Sequence, residues 1–243
     1  MNFRQSLNKI FLMLTLVSCA SSVFAEQARI VEMTGEVKIR QGLNEHWDKA
    51  KIGMILRDVD TILTLEAAEV VLRLENGDTF TLSSNSVVDI GDLRKISERQ
   101  LFLFLVSKKI EKLEPREGNE YRVESISSVR GEEKVVADEN SMKNTPVWVR
   151  EKNGARAMCE QEFFPNAIMK FHKIMSNYGS AELCSEIHFY LGKAFEALDQ
   201  PGRALDAYQN VLTHSKEDAC ASSHSEKMYK AAEEAVKVLK KRK

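Results

Sequence analysis

Two Cys-x3-His pairs come nearest to a chemical site in this chain. Cys184 lies four residues before His188, and Cys220 lies four residues before His224. Side chains four residues apart share one face of a helix, so each pair could offer two ligands, and both together make a Cys2His2 set. Three interpretations remain open: the side chains only pack, the two cysteines form a disulfide, or the four side chains bind a metal ion.

Other residues capable of catalysis lack the neighbours that catalysis needs. Ser83-Ser84 lies beside a strand signal, without a histidine or an acid at the spacing of a known triad. Asp58, Asp60 and Asp78 lack the ligand spacing of a calcium loop, and turn chemistry explains all three. We therefore expect a protein that is not an enzyme and that has no cofactor.

The elements that would position any site begin with a β-hairpin within residues 53–90. Apolar residues alternate with less apolar ones on both sides of the turn sequence Asn76-Gly77; they are Val70, Leu72, Leu74, Phe80 and Leu82. A loop of odd length, residues 76–78, would pair Leu74 with Phe80. The same register would pair Leu72 with Leu82, and it keeps the apolar side chains on one buried face.

Short strands separated by turn signals are predicted over residues 28–138. They are residues 30–31, 37–39, 61–65, 70–74, 79–83, 87–90, 101–106, 121–126 and 134–137. This pattern is typical of a β-sandwich or roll. Because residues 101–106 are apolar on both faces, we expect a central or covered strand there.

The same region carries a series of motifs in a recognisable order. They are Gly35-x-Val37, Trp47, Gly53, Asp58-x-Asp60-Thr61-Ile62-Leu63-Thr64, Val70-x-Leu72-x-Leu74, Asn76-Gly77, Tyr121-x-Val123 and Val129-Arg130-Gly131. This order resembles the FecR domain, an all-β periplasmic module named for a sensor of iron-citrate status. The resemblance implies an envelope-binding or structural role, with signal transmission to a membrane regulator as the alternative.

After a polar linker, residues 139–146, the apolar period changes from 2 to 3.6. Two apolar helical faces recur 37 residues apart; they are Ala167, Ile168, Phe171, Ile174 and Met175, then Ala204, Leu205, Tyr208, Val211 and Leu212. A fixed period of this size is typical of stacked helical hairpins. The first hairpin has only a weak candidate for its first helix, around residues 154–158. Because the stack is short, we expect it to pack against the β region.

One stretch of the helical region has a more specific pattern. Its residues are Leu191-Gly192, Ala194, Phe195, Asp199-Gln200-Pro201-Gly202, Ala204, Tyr208 and Val211. They resemble a complete tetratricopeptide repeat, in which Gly192 would let the paired helices approach closely. The resemblance implies a concave surface that binds a protein partner; the residues at its usual positions are Glu186, Phe189, Lys193 and Glu196.

The helical pairs also bear on the cysteines. Because paired helices run antiparallel, Cys184, at the start of one helix, should lie near the segment after its partner, which holds Cys220. In an oxidising compartment this arrangement favours a disulfide over a metal site. Cys159 would then remain as a free thiol.

Residues 1–25 have the pattern of an export signal. A basic start with Arg4 and Lys9 precedes a short apolar core at residues 10–17. Cleavage after Ala25 is the preferred site, and lipidation of Cys19 is the alternative. We therefore expect a periplasmic or cell-envelope protein that contacts the membrane only through a lipid anchor, if Cys19 is lipidated.

The net charge of −1 gives no general attraction for nucleic acid, so we expect no nucleic-acid partner. The predicted fold class is α+β with two domains, a FecR-like β domain at residues 28–138 and a tetratricopeptide-like helical domain at residues 147–243. The predicted function is non-enzymatic binding or scaffolding in the bacterial cell envelope. The expected partners are an envelope protein and peptidoglycan.

Overall fold

A computed structural model describes residues 28–111, 145–215, 218–220 and 225–241 of the chain. The predicted export segment, with Cys19 and Ala25, lies outside the described residues. The predicted strands at 121–126 and 134–137 and the side chain of His224 also lie outside them.

Eight short strands form the N-terminal half of the described chain. They are β1 (Ala28–Thr34), β2 (Val37–Arg40), β3 (Asp48–Lys49), β4 (Ile55–Leu56), β5 (Thr61–Thr64), β6 (Glu69–Leu74), β7 (Thr79–Leu82) and β8 (Ser86–Asp89). They build two antiparallel sheets, in the orders β4-β1-β6-β7 and β3-β2-β5-β8. Alternate residues of β6 and β7 are buried, as the period-2 pattern predicts.

The β6–β7 hairpin has the odd loop that the sequence predicts, but the predicted register is wrong by two residues. Leu72 pairs with Phe80 rather than with Leu82. The Gly77 N–H donates to the Leu74 carbonyl at 2.9 Å, and Gly77 has a φ of +89°. A three-residue hairpin loop needs a left-handed residue at its last position, and glycine occupies that conformation without steric cost. Gly77 therefore sets the register.

The predicted strand at residues 101–106 is wrong, because this run lies in helix α1 (Glu98–Glu111). The Ser97 hydroxyl accepts from the Gln100 N–H at 3.3 Å, and the Ser97 N–H donates to the Gln100 side chain at 2.9 Å. This reciprocal capping box starts a helix. Leu101 and Leu105 are buried one turn apart, so the helix buries only part of the apolar run. The predicted all-β region therefore contains a helix.

Five further α-helices form the C-terminal half of the described chain. They are α2 (Val147–Glu160), α3 (Phe164–Asn177), α4 (Ser185–Ala197), α5 (Pro201–His214) and α6 (Ser225–Lys241). The α2–α3 and α4–α5 pairs form two hairpins, and α5 begins and ends 37 residues after α3. The weak first helix expected around residues 154–158 is a complete helix of 14 residues. The predicted α+β layout in two parts is confirmed at this level.

The two hairpins also repeat their loop conformation. Glu162 and Asp199 both have positive φ, 68° and 53°. In each loop the residue after it donates its N–H to the carbonyl five residues earlier, which completes a Schellman motif. Within the second hairpin, a Cβ on Gly192 would lie 2.5 Å from the Tyr208 ring, so glycine permits the predicted close approach of the helices.

Helix α2 covers the edge strands of both sheets. A Cβ on Gly154 would lie 2.2 Å from the Val87 carbonyl oxygen of β8. The Gln161 side-chain amide accepts from the Thr81 N–H of β7 and donates to the Thr81 carbonyl, each at 2.7 Å. Gln161 thus pairs with the edge strand as another strand would. The buried apolar residues of both halves form one continuous core, so the expected packing of helices on the β region is confirmed.

No helix among the described residues has both the length and the apolar character that crossing a bilayer requires.

Candidate functional site

The four residues predicted to bind a partner lie along α4, but they differ in exposure. Lys193 and Glu196 are exposed, and Phe189 is half-buried. The Glu186 side chain is only 12 % exposed, and it forms ion pairs with Lys152 and, at 3.1 Å, with Arg156 of α2. Glu186 therefore links two helices, while the other three residues lie on the solvent side of α4. We call Phe189, Tyr190, Lys193 and Glu196 the open face.

Aromatic rings support the charged side chains of the open face. The Lys193 ammonium lies 5.4 Å from the centre of the Tyr190 ring and 6.0 Å from that of Phe189. Such cation–π contacts hold an ammonium above an apolar surface. The Tyr190 hydroxyl donates to the Glu160 carboxylate at 2.8 Å, and the Tyr208 hydroxyl donates to Glu196 at 3.1 Å. The rings are thereby fixed in place.

Both tyrosines are proton donors under ordinary conditions. Burial, followed by the hydrogen bond and the charge of Glu160, raises the pKa of Tyr190. Burial, followed by the charge of Glu196 and the hydrogen bond to it, raises the pKa of Tyr208. The open face thus combines one carboxylate, Glu196, with one lysine and two aromatic rings, and Glu160 of α2 lies at its edge.

The structure joins Cys184 and Cys220 in a disulfide, with their Cα atoms 5.1 Å apart. The Asp218 carboxylate beside it accepts from the N–H groups of Ser185 and Cys220, at 3.1 and 3.0 Å. Its second oxygen accepts from the Tyr229 hydroxyl at 2.8 Å. The disulfide and Asp218 therefore connect the start of α4 to the segment before α6 and to α6 itself.

The metal interpretation of the cysteines has little support in this geometry. The Cys184 and Cys220 sulfurs lie near the Asp218 carboxylate, but disulfide sulfurs are not the thiolates that bind zinc. His188 contacts the Glu182 carbonyl oxygen through Nε2 at 2.8 Å, and its ring stacks on His214. Cys159, the free thiol among the described residues, is buried, and burial raises its pKa to about 11, so it is a poor nucleophile.

The aspartates considered as calcium ligands lie in or beside turns of the β half. Asp60 accepts from the N–H groups of Gly42 and Arg57, at 2.9 and 2.8 Å. The Asn76 side chain accepts from the Asp78 N–H at 3.0 Å. These bonds are the turn chemistry that the sequence analysis expects of Asp60 and Asp78.

A charged cluster at the junction of the two halves was missed by the sequence analysis. Lys170 of α3 is buried, and its ammonium lies 3.1 Å from Asp89 at the end of β8 and 2.8 Å from Asp92 in the 3-10 helix Ile90–Leu93. Burial alone would raise the pKa of Asp89, but the charge of Lys170 and the hydrogen bond from Thr61 outweigh it and lower the pKa to about 2. Because the cluster joins residues about 80 positions apart, no local sequence motif predicts it.

A cleft of about 440 Å³ lies beside this cluster, between α1, α3 and the 3-10 helix. Its charged lining residues are Asp58, Asp92, Arg94, Lys108, Lys170 and Lys173. Asn166 fixes one wall, because its amide donates to the carbonyls of Asp92 and Arg94, at 2.6 and 2.8 Å. The cleft is open, and of its charged lining residues Asp92 and Lys170 form an ion pair with each other.

A second, smaller cavity of about 60 Å³ lies on the other side of Lys170, at the first turn of α2. Arg150 and Trp47 line it together with Arg40, Thr61 and Glu151. Arg150 is only 5 % exposed. The sequence gives no sign of this cavity, because its walls come from β2, β5, β8, the turn before β3, α2 and α3.

Comparison with known proteins does not place the chain in a family. No protein-family model matches it, and no curated protein is significantly similar to it.

Proposed function

We propose that the chain is a non-enzymatic binding protein of the bacterial cell envelope. In this proposal a FecR-like β module carries tetratricopeptide-like hairpins, and the protein reaches the envelope through the predicted export signal. The 37-residue offset and the repeated loop conformation support stacked hairpins of this kind. The motif order in the β half supports the FecR-like assignment.

The observation that carries the proposal is the open face of α4. Lys193 and Glu196 are solvent-exposed beside half-buried Tyr190 and buried Tyr208, whose hydroxyls donate to the carboxylates of Glu160 and Glu196. Preformed aromatic and charged surfaces of this type lose little conformational entropy on binding, so they suit protein recognition. A protein segment bound along α4 would bury its side chains on Tyr190 and Phe189 and pair its charges with Lys193 and Glu196.

The β half supplies the second contact in this proposal, with an envelope component such as peptidoglycan. A protein that binds a wall component with one half and a protein with the other acts as a scaffold. This division also explains why the two halves share one core: a rigid junction fixes the distance between the two bound partners.

Site-specific photocrosslinking in the periplasm tests the proposal. A photoreactive residue replaces Lys193 on the open face or, as a matched control, Lys237 on an exposed face of α6. We expect Lys193 to crosslink one envelope protein reproducibly and Lys237 not to crosslink it. Equal crosslinking at both positions would show that the open face is not the binding surface.

A charge-swapped pair of variants gives the affinity control. K193E/E196K reverses two charges on the open face, whereas E233K/K237E reverses two charges on α6, and neither changes the net charge. The first should weaken capture of the crosslinked protein at least tenfold, and the second should leave it unchanged. Co-sedimentation with purified peptidoglycan should be equal for both variants, because the β half would make that contact.

The alternative function, signal transmission to a membrane regulator, gives a different outcome in the crosslinking experiment. The protein crosslinked at Lys193 would then be an integral membrane protein with a cytoplasmic regulatory segment. Hydrolysis of peptidoglycan fragments by the purified protein would contradict both functions.

A further inference from the structure

The small cavity at the first turn of α2 contains a cation without a counter-charge. Arg150 is buried, with only 5 % of the residue exposed. Within the described residues its Nε has no hydrogen-bond partner, and its guanidinium forms no ion pair. Burial lowers the pKa of Arg150 from its ordinary value, and no neighbouring carboxylate opposes that effect. Isolating a buried charge in this way is costly unless an anion binds beside it.

A second donor lines the same cavity. The Trp47 indole N–H is buried and, among the described residues, has no hydrogen-bond acceptor. The Arg40 guanidinium lies 5.5 Å from the centre of the Trp47 ring, which places a further positive charge at this wall. Helix α2 begins beside it with Pro146 at the N-cap and no side-chain cap. The positive end of the helix dipole therefore adds to the potential at the cavity.

The acids near the cavity do not neutralise Arg150. Asp89 is engaged by Lys170 and by the Thr61 hydroxyl, which donates to it at 2.8 Å. Glu151 lines the cavity, but no ion pair joins it to Arg150. Burial raises the pKa of Glu151. The positive charge of Lys170 lowers this pKa, and the negative charges of Asp89 and Asp92 raise it. Arg150 therefore has no anionic partner among the described residues, and an anion bound in the cavity would supply one.

We propose that this cavity binds the terminal carboxylate of a peptide. A planar carboxylate fits the forked N–H groups of an arginine, and the indole N–H supplies a third donor. The volume of about 60 Å³ is room for roughly two water molecules, or for one carboxylate group. The apolar residues Leu63, Val87 and the partly exposed Val147 line the cavity, so the rest of a terminal residue would contact apolar surface.

Nuclear magnetic resonance of the full chain tests this site directly. N-acetylglycine, which ends in a carboxylate, is titrated at constant ionic strength, and N-acetylglycinamide is the matched neutral probe. The chain has two tryptophans, Trp47 and Trp148, so W47F assigns the Trp47 indole resonance. We expect N-acetylglycine to shift that resonance saturably, with a dissociation constant on the order of millimolar for so small a probe. N-acetylglycinamide should not shift it.

Variants of Arg150 separate binding from folding. R150M replaces the arginine by an uncharged, unbranched side chain and should weaken the binding of N-acetylglycine at least tenfold. R73M removes an exposed arginine from β6 and should leave that binding unchanged. R150K, which keeps the positive charge but lacks the planar guanidinium group, should bind N-acetylglycine with intermediate affinity. A dispersed spectrum for each variant shows that it is folded. If R150M were unfolded, intermediate binding by R150K would still support the site.

Three results would overturn the proposal. One is no saturable shift of the Trp47 resonance at 100 mM probe, a concentration on the order of 100 times the expected dissociation constant. Another is equal binding by R150K and the unmodified chain. The third is tighter binding of inorganic phosphate or glucuronate than of N-acetylglycine, which would assign the site to another anion.

Discussion

The helical layer has two polar surfaces, one against the β sheets and one towards solvent. The docked face consists of Asn153, Gly154, Gln161, Asn166 and Lys170. Its four side chains bind backbone or carboxylate groups of the β half, and the Gly154 backbone packs closely against Val87. On the open face, Lys193 and Glu196 are exposed, and their contacts are with side chains of α4 and α5.

This contrast separates stability from recognition. The docked face satisfies buried polar groups of the edge strands, so removing a member leaves a group without its partner. The open face contributes little to the core, so its charges can change at small cost and remain available for a partner.

The largest expected effect follows from removing the Lys170 charge. K170M leaves Asp89 and Asp92 close together without their cation, so the free energy of unfolding should fall by about 3 kcal/mol at pH 7. Urea denaturation measures it. K237M, which breaks an exposed ion pair on α6, should cause no measurable change. Equal results for the two variants would show that the docked face does not depend on Lys170.

A methyl group at Gly154 should be the next most damaging change. In G154A the new Cβ would lie 2.2 Å from the Val87 carbonyl, so α2 must move away from β8. We expect a loss of about 2 kcal/mol in the free energy of unfolding, although alanine is the better helix former. G202A, where the added Cβ meets no atom within 4 Å, should be neutral or stabilising. Stabilisation by G154A would contradict the close packing of α2 on β8.

The stability of the protein should depend on pH through Asp89. Its folded pKa of about 2 lies below the ordinary value of 3.8, so ionised Asp89 stabilises the folded state above about pH 4. That contribution, about 2 kcal/mol, should be lost as the pH falls from about 4 towards 2. Urea denaturation of the unmodified chain and of D89N at pH 6 and pH 3 measures it. A D89N variant with the same pH dependence as the unmodified chain would assign the effect to other carboxyl groups.

The smallest expected effect is on the open face. K193E should change the free energy of unfolding by less than about 0.5 kcal/mol, because Lys193 is exposed and its contacts are with ring faces. Urea denaturation again measures it, and E186Q is the contrasting variant on the same helix. Because Glu186 is 12 % exposed and holds Lys152 and Arg156, E186Q should be clearly more destabilising. Equal losses would show that the open face is structural.

Local patterns in the sequence predict much of the fold. Period-2 alternation locates β6 and β7, and the 37-residue offset locates α3 and α5. The helical assignment of residues 98–111 was also available locally, since Ser97 and Gln100 form a capping box. The continuous apolar run at 101–106 concealed it, because periodicity cannot separate a covered strand from a helix in so short a segment.

The sequence by itself determined the alternation of the strands, the period of the helices and the odd length of the hairpin loop, because each depends on residues close together in the chain. Only the tertiary structure decided that Glu186 forms an interhelical ion pair, whereas Lys193 on the same helix stays exposed to solvent. Only the tertiary structure brought Lys170 to Asp89, and Arg150 to Trp47. Burial and charge pairing set the chemistry of these side chains, and both depend on neighbours that are distant in sequence.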